Sequence, residues 1–120
     1  MKHLFRLSLL LALLHGVAQA ADNSSQDLQR RFEARYQSYL TPASESLLPF
    51  PELELPAWKS LLATGDLKPV FSRHQVFYNS KTYDFTMYRS GDGRYYLNAK
   101  GGFWGMDELV YGPIAAELLQ

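Results

Sequence analysis

Few side chains of this chain could carry out catalysis, and the sequence gives none of them a matched set of partners. Within residues 21–120 the one histidine is His74, which a serine-based triad would need as its base, with Ser72, Ser80 or Ser90 as the nucleophile. None of these serines lies in the Gly-x-Ser-x-Gly turn that exposes such a nucleophile. A lone histidine near the start of a sheet is typical of a polar edge residue, so we predict no catalytic residue.

Carboxylates offer a second route to chemistry, because glycoside cleavage needs one acid and one base or nucleophile at a set separation. Asp107 and Glu108 are adjacent, so on a strand they would point to opposite faces. Asp84 has an expected cross-strand partner in Lys100. A cell-wall hydrolase that uses Asp107, Glu108 or His74 stays an alternative. The sequence does not decide whether the chain is an enzyme, and the lack of a matched catalytic set favours a protein without enzymatic activity.

The composition excludes several classes of protein. The absence of cysteine excludes a disulfide framework, a thiolate metal site and a cysteine nucleophile. One histidine leaves too few ligands for zinc, and the alternating Asp/Asn pattern of a calcium loop is absent. We therefore predict no metal and no cofactor. The 12 basic and 12 acidic side chains argue against a nucleic-acid binder.

The first twenty residues are typical of a secretory signal peptide. Lys2 and Arg6 precede an almost wholly apolar run over residues 7–14, and residues 18–20 read Ala-Gln-Ala, a small-residue cleavage site. The run is about half of the ~20 residues that span a bilayer, which favours cleavage over an uncleaved N-terminal anchor. We expect a bacterial periplasmic or secreted protein with no stable membrane span, one small domain over residues 21–120 and a net charge of −2.

Residues 21–67 form the helical and proline-rich half of that domain. Leu28, Phe32, Tyr36 and Leu40 recur at four-residue spacing, which predicts a helix over about residues 25–40. Four prolines within residues 42–56 prevent a regular element there, and the apolar side chains between them indicate an extended strap on the domain surface.

A short second helix is expected over about residues 57–63. Pro56 suits its first turn and Gly65 its end. Trp58, Leu61 and Leu62 would point inward.

Residues 68–120 form an aromatic half with strand patterning, and its clearest unit is a hairpin around Gly91-Asp92-Gly93. A three-residue loop places Met87 opposite Leu97 and Phe85 opposite Ala99. A two-residue loop would put apolar against polar side chains on both faces, so the three-residue loop is preferred.

The remaining elements of this half are less sharply defined. A strand over about residues 75–78 should precede the hairpin, Phe103 and Trp104 could begin another strand, and residues 106–111 could be a strand or one helical turn. Residues 113–119 resemble a short helix with proline at its first position. The predicted fold is α+β, with the N-terminal helix and the short second helix packed on a three- to four-stranded antiparallel meander.

The aromatic residues supply the candidate binding sites. In the hairpin register, Tyr88 and Tyr96 lie on the face opposite Phe85 among polar neighbours, and tyrosine combines apolar area with a hydroxyl group. A helix that covers this face is the competing explanation. Phe103 and Trp104 lie between glycines, where they could form an exposed anchor or fold back into the core.

Ser90-Gly91 followed by Tyr95 resembles the Ser-Gly-x-x-Tyr loop of periplasmic C-type lysozyme inhibitors. The spacing here is one residue longer, and that family's cysteines and full set of barrel strands are missing. The resemblance covers six residues, and no function is carried over from it.

Together these features favour a small exported binding protein without catalytic activity. A protein partner in the bacterial envelope, of the kind that inhibitors and immunity proteins have, is favoured over a small molecule. The alternative is a carbohydrate or cell-wall binding module in which Trp104 or Tyr96 stacks on sugar rings.

Overall fold

A computed structural model of the chain describes residues 24–41 and 44–120, so the predicted signal peptide, residues 1–20, lies outside the described residues. The four strands form one antiparallel sheet in sequential order, and two helices pack on it, which confirms the predicted α+β arrangement. In chain order the elements are α1 (24–36), a 3₁₀ turn Gln37–Tyr39, α2 (Leu55–Ala63), β1 (Lys68–Tyr78), β2 (Lys81–Arg89), β3 (Tyr95–Gly101), a 3₁₀ turn Phe103–Gly105, β4 (Asp107–Ile114) and a 3₁₀ turn Ala116–Leu119.

Helix α1 covers one face of the sheet, which we call the core face. Its predicted stripe, Leu28, Phe32 and Tyr36, is buried, and the ring of Phe32 lies 5.9 Å from that of Phe71. Each such side chain contributes about 1.5–3 kcal/mol when it is fully buried. The sheet contributes Phe71, Val76, Tyr78, Tyr83, Phe85, Met87, Leu97, Ala99, Tyr111 and Ile114 to this core.

The proline-rich segment is an extended strap, as predicted, and it lies along the outer edge of β4. The Leu53 amide donates to the Val110 carbonyl at 2.8 Å, and the Gly112 amide donates to the Pro51 carbonyl at 2.8 Å. Further back, the Leu48 amide donates to the buried Tyr78 hydroxyl at 2.7 Å. The strap therefore satisfies backbone groups that an open sheet edge would expose.

Helix α2 packs on the opposite face, which we call the second face, and Trp58 is its buried centre. Pro56 lies in its first turn, and Gly65 follows its end with a φ of 73°. The prediction that Leu62 points inward is wrong, since its side chain is 43% exposed. The inward stripe runs through Leu55, Trp58 and Leu61 at three-residue spacing, which leaves Leu62 at its margin.

The hairpin between β2 and β3 has the predicted register. Met87 pairs with Leu97 and Phe85 with Ala99, while Gly93 adopts a φ of 84° in the three-residue loop. The register follows from the alternation itself, because a slip of one residue would move every apolar side chain to the other face.

Three boundaries differ from the sequence predictions. β1 begins at Lys68, several residues before the predicted start at Gln75. Residues 103–105 form a 3₁₀ turn instead of the start of a strand, because the neighbouring Gly101 and Gly102 take positive φ values that end β3. Pro113 lies inside β4 instead of beginning a helix, a position that an edge strand tolerates.

Candidate functional site

The side chains predicted to bind a partner lie in two different environments. Tyr88 and Tyr96 form a cross-strand pair on the second face, whereas Phe103 and Trp104 lie in the turn between β3 and β4. The structure does not bring these two groups together into one site.

Helix α2 covers the tyrosine pair. The Trp58 ring lies 5.2 Å from that of Tyr88 and 6.1 Å from that of Tyr96. Tyr96 is only 6% exposed, and Tyr88 is half-buried. This is the covering helix that the sequence left open as the competing explanation, and of the pair only Tyr88 keeps part of its surface open to a partner.

The turn over residues 101–106, which we call the aromatic tip, presents its large side chains to solvent. Trp104 is 91% exposed, Met106 84% and Phe103 69%. The sequence pointed to the two aromatic residues but missed Met106. The signal for it was its place directly after Gly105, the glycine that closes the segment of Phe103 and Trp104.

Backbone bonds tie the aromatic tip to the sheet. The Gly102 amide donates to the Thr82 carbonyl of β2 at 2.9 Å, and the Met106 amide donates to the Phe103 carbonyl at 3.3 Å. The tip is therefore a defined turn at the end of the sheet where β2 begins.

Two residues of the tip have unusual dihedral angles. Gly102 has φ 71° and ψ −151°, a region that is essentially restricted to glycine. Trp104 has φ 61° and ψ 14°, the left-handed conformation, which is a genuine outlier for a bulky side chain. Such strain at Trp104 costs about 1–3 kcal/mol, and strain of this kind is concentrated at functional sites.

A salt bridge supports the base of the tip. Lys81 Nζ lies 3.1 Å from Asp107 Oδ2 and 5.5 Å from the centre of the Phe103 ring. The hydrogen bond to the Asp107 carboxylate raises the pKa of the Lys81 ammonium. The pair links the start of β2 to the start of β4 beside Phe103, which stays 69% exposed.

The part of the second face that α2 leaves open carries charged side chains. Asp84, Lys100 and Glu108 are in register on β2, β3 and β4. Lys100 Nζ lies 3.9 Å from Glu108 Oε2, and the Asn98 amide donates to the same oxygen at 2.6 Å.

Asp84 is held by a bulge in β1 and has no salt bridge to Lys100, the partner that the sequence suggested. Its Oδ1 accepts the Gln75 amide at 3.0 Å and lies 3.4 Å from His74 Nδ1. The Gln75 hydrogen bond, followed by the one from His74, lowers the pKa of Asp84. The bulge at residues 73–76 brings both donors to this carboxylate.

The candidate catalytic groups are not arranged as a catalytic set. His74 pairs with Asp84, and the Ser72 hydroxyl bonds that of Thr86 at 3.2 Å. Asp107 and Glu108 contact partners on opposite faces, as their adjacent positions predicted. Over residues 24–41 and 44–120, no group of three or more His, Asp or Glu side chains is placed to hold a metal ion.

No protein-family model matches this chain, and neither a curated protein nor a solved structure was found to match it. Among the helices in the described part of the chain, none is long and apolar enough to cross a membrane.

Proposed function

We propose that this chain is a small non-enzymatic binding protein of the bacterial envelope that recognises a protein partner through its aromatic tip. The observation that carries the proposal is Trp104, which is 91% exposed and held in the left-handed conformation. An exposed tryptophan in a strained, hydrogen-bonded turn has no packing role that would compensate the strain.

The composition of the tip favours a protein partner. Tryptophan, phenylalanine and methionine are enriched in protein interfaces, and tryptophan is prominent among the residues that dominate binding energy. Trp104, Phe103 and Met106 lie within four residues on one turn. Because hydrogen bonds already fix that turn, little backbone entropy would be lost when it binds.

A carbohydrate or cell-wall ligand is the second candidate, and one observation favours it. The open part of the second face presents Asp84, Lys100 and Glu108, charged groups that could bond sugar hydroxyls. An exposed ring such as Trp104 could stack on a sugar ring.

Differential capture tests the protein-partner proposal. Wild-type protein, Trp104→Ala and the control Leu62→Ala, which removes an exposed apolar side chain from α2, serve as baits for envelope proteins. A single stoichiometric protein should be retained by wild type and Leu62→Ala. Its affinity for Trp104→Ala should be weaker by at least about 30-fold, equivalent to a loss of about 2 kcal/mol or more.

Two results would contradict the proposal. Equal retention by wild type and Trp104→Ala would exclude the tip from the interface. Saturable quenching of tryptophan fluorescence by peptidoglycan fragments, lost in Trp104→Ala and not accompanied by protein capture, would favour the carbohydrate candidate instead.

A further inference from the structure

An open cavity of about 590 Å³ lies at the end of the sheet opposite the aromatic tip. Its walls come from the first turns of α1, from residues 66–70 and from the start of the β2–β3 loop. The tip is bonded to Thr82 at the start of β2, and the cavity lies beside Arg89 at its end. Seven residues of strand separate these points by about 23 Å.

Positive charge dominates the lining of this cavity. Arg31 of α1, Lys68 of β1 and Arg89 of β2 contribute three cations, against the single carboxylate of Asp66. That carboxylate already accepts the Gly91 amide at 3.1 Å. The lining therefore carries more positive than negative side chains, and we call it the cationic cleft.

The register of the sheet places two of these cations directly opposite each other. Lys68 and Arg89 are cross-strand partners, a position where like charges destabilise a sheet. Within the described residues, neither has a carboxylate oxygen within 4.0 Å. Arg31 does have one, since its Nε lies 3.1 Å from Asp27. The repulsion between Lys68 and Arg89 is thus left uncompensated by the described part of the protein.

The groups around this pair suit an anion with oxygen acceptors. The guanidinium of Arg89 lies 6.0 Å from the centre of the Tyr95 ring, at cation–π distance. Ser24 and Ser25 add hydroxyl groups to the cleft wall. Arginine forks bind phosphate oxygens in pairs, while lysine adds a compact charge.

We infer that the cationic cleft binds a phosphate dianion, free or as a phosphomonoester, between Lys68 and Arg89. The two negative charges of the dianion match the two positive charges of Lys68 and Arg89, and the bound anion replaces repulsion between the strands with attraction to both. This site is independent of the aromatic tip, so the failure of either proposal leaves the other standing.

The test is a titration of the purified protein at constant ionic strength. The melting temperature and the amide chemical shifts are measured at each ligand concentration. The probes are inorganic phosphate and glycerol 3-phosphate, with sodium chloride as the salt control. Phosphate should give saturable shifts in residues 66–70 and 89–91 and raise the melting temperature. Tighter binding of glycerol 3-phosphate would assign an ester as the ligand, and tighter binding of inorganic phosphate would assign the free anion.

Glutamine variants that each remove one positive charge test which side chains bind the phosphate. Lys68→Gln and Arg89→Gln should each weaken phosphate binding by about tenfold or more, since each removes a charge-assisted contact. The control Lys59→Gln removes an exposed lysine from α2 and should bind as wild type does. Without phosphate, Lys68→Gln should melt higher than wild type, because it removes the repulsion.

The inference is overturned if chloride reproduces the phosphate effect, or if the Lys68→Gln, Arg89→Gln double variant binds phosphate as tightly as wild type. A folded double variant is expected, because both side chains are on the surface, and its melting curve verifies that it is folded.

Discussion

The two aromatic groups that the sequence offers for recognition, Tyr88 with Tyr96 and Phe103 with Trp104, have opposite environments. Tyr96 is packed under Trp58 of α2, while Trp104 projects from the end of the sheet. The tyrosines share their sheet face with polar side chains, and Phe103 and Trp104 lie between Gly102 and Gly105. The difference comes from what covers them: Trp58 of α2, 30 residues before Tyr88, packs on the tyrosines, and within the described residues nothing covers the tip.

The contrast shows that aromatic content alone does not identify a recognition surface. Strand residues lie on a broad face that another element can cover, so their exposure depends on distant segments of the chain. A tight turn held by glycine dihedrals leaves its side chains at the boundary of the sheet, whatever packs on the faces. Backbone constraint therefore distinguishes the two groups better than side-chain type does.

The largest expected effect comes from removing the cover of the tyrosine pair. Trp58→Ala should lower the free energy of unfolding by about 3–5 kcal/mol, because it empties the centre of the small cluster between α2 and the sheet. Urea unfolding followed by circular dichroism measures the change.

Leu62→Ala is the matched control on the same helix, since Leu62 is exposed. Its effect should stay below about 1 kcal/mol. If Trp58→Ala and Leu62→Ala had equal effects, α2 would not seal the second face, and the tyrosine pair would again be a candidate binding surface.

An intermediate effect is expected at the base of the tip. Gly102→Ala should destabilise the protein by about 1–3 kcal/mol, because the dihedral angles at this position suit glycine alone. The added Cβ would also lie 2.8 Å from the Cβ of Asp107 and overlap its carboxylate. The salt bridge from Lys81 to Asp107 should be displaced with it, which chemical shifts of the Lys81 side chain can report.

Gly105→Ala separates the effect of backbone strain from the effect of steric overlap with Asp107. Gly105 also has a positive φ, 66°, but a Cβ there would meet no atom within 4 Å. This variant should lose stability through strain alone, by about 1 kcal/mol, and keep the Lys81 signals of wild type. A loss of the Lys81–Asp107 contact in Gly105→Ala would show that the tip depends on backbone strain and not on the fit at residue 102.

The hairpin, the helix α1 and the strap could be predicted from the sequence because each depends on local pattern. The alternation around Met87 and Leu97 permits one register, and the four-residue spacing of Leu28, Phe32 and Tyr36 permits one buried helix face. Of the predictions that failed, the helix start at Pro113 depends on contacts distant in sequence. Pro113 is in a strand because β4 pairs with β3. The residues next to Pro113 in the sequence do not indicate that pairing.

The candidate site could be predicted only where it depends on local pattern. The glycines around Phe103 and Trp104 indicated an unusual turn, but the bond from Gly102 to Thr82 and the Lys81–Asp107 pair cross between hairpins. The cationic cleft had no local signal at all. Lys68 and Arg89 lie 21 positions apart and become neighbours only through the register of β1 with β2.

The smallest effect on stability is expected at the largest exposed side chain. Trp104→Gly should leave the free energy of unfolding unchanged or raise it by up to about 1 kcal/mol, because glycine adopts the left-handed conformation without strain. Trp104→Ala keeps the strain and should remain within about 0.5 kcal/mol of wild type. In the single-tryptophan variant Trp58→Phe, acrylamide should quench Trp104 efficiently, whereas Trp58 in Trp104→Gly should resist quenching. A loss above about 2 kcal/mol in Trp104→Gly, or equal quenching of the two residues, would show that Trp104 is packed like Trp58 and remove the contrast between them.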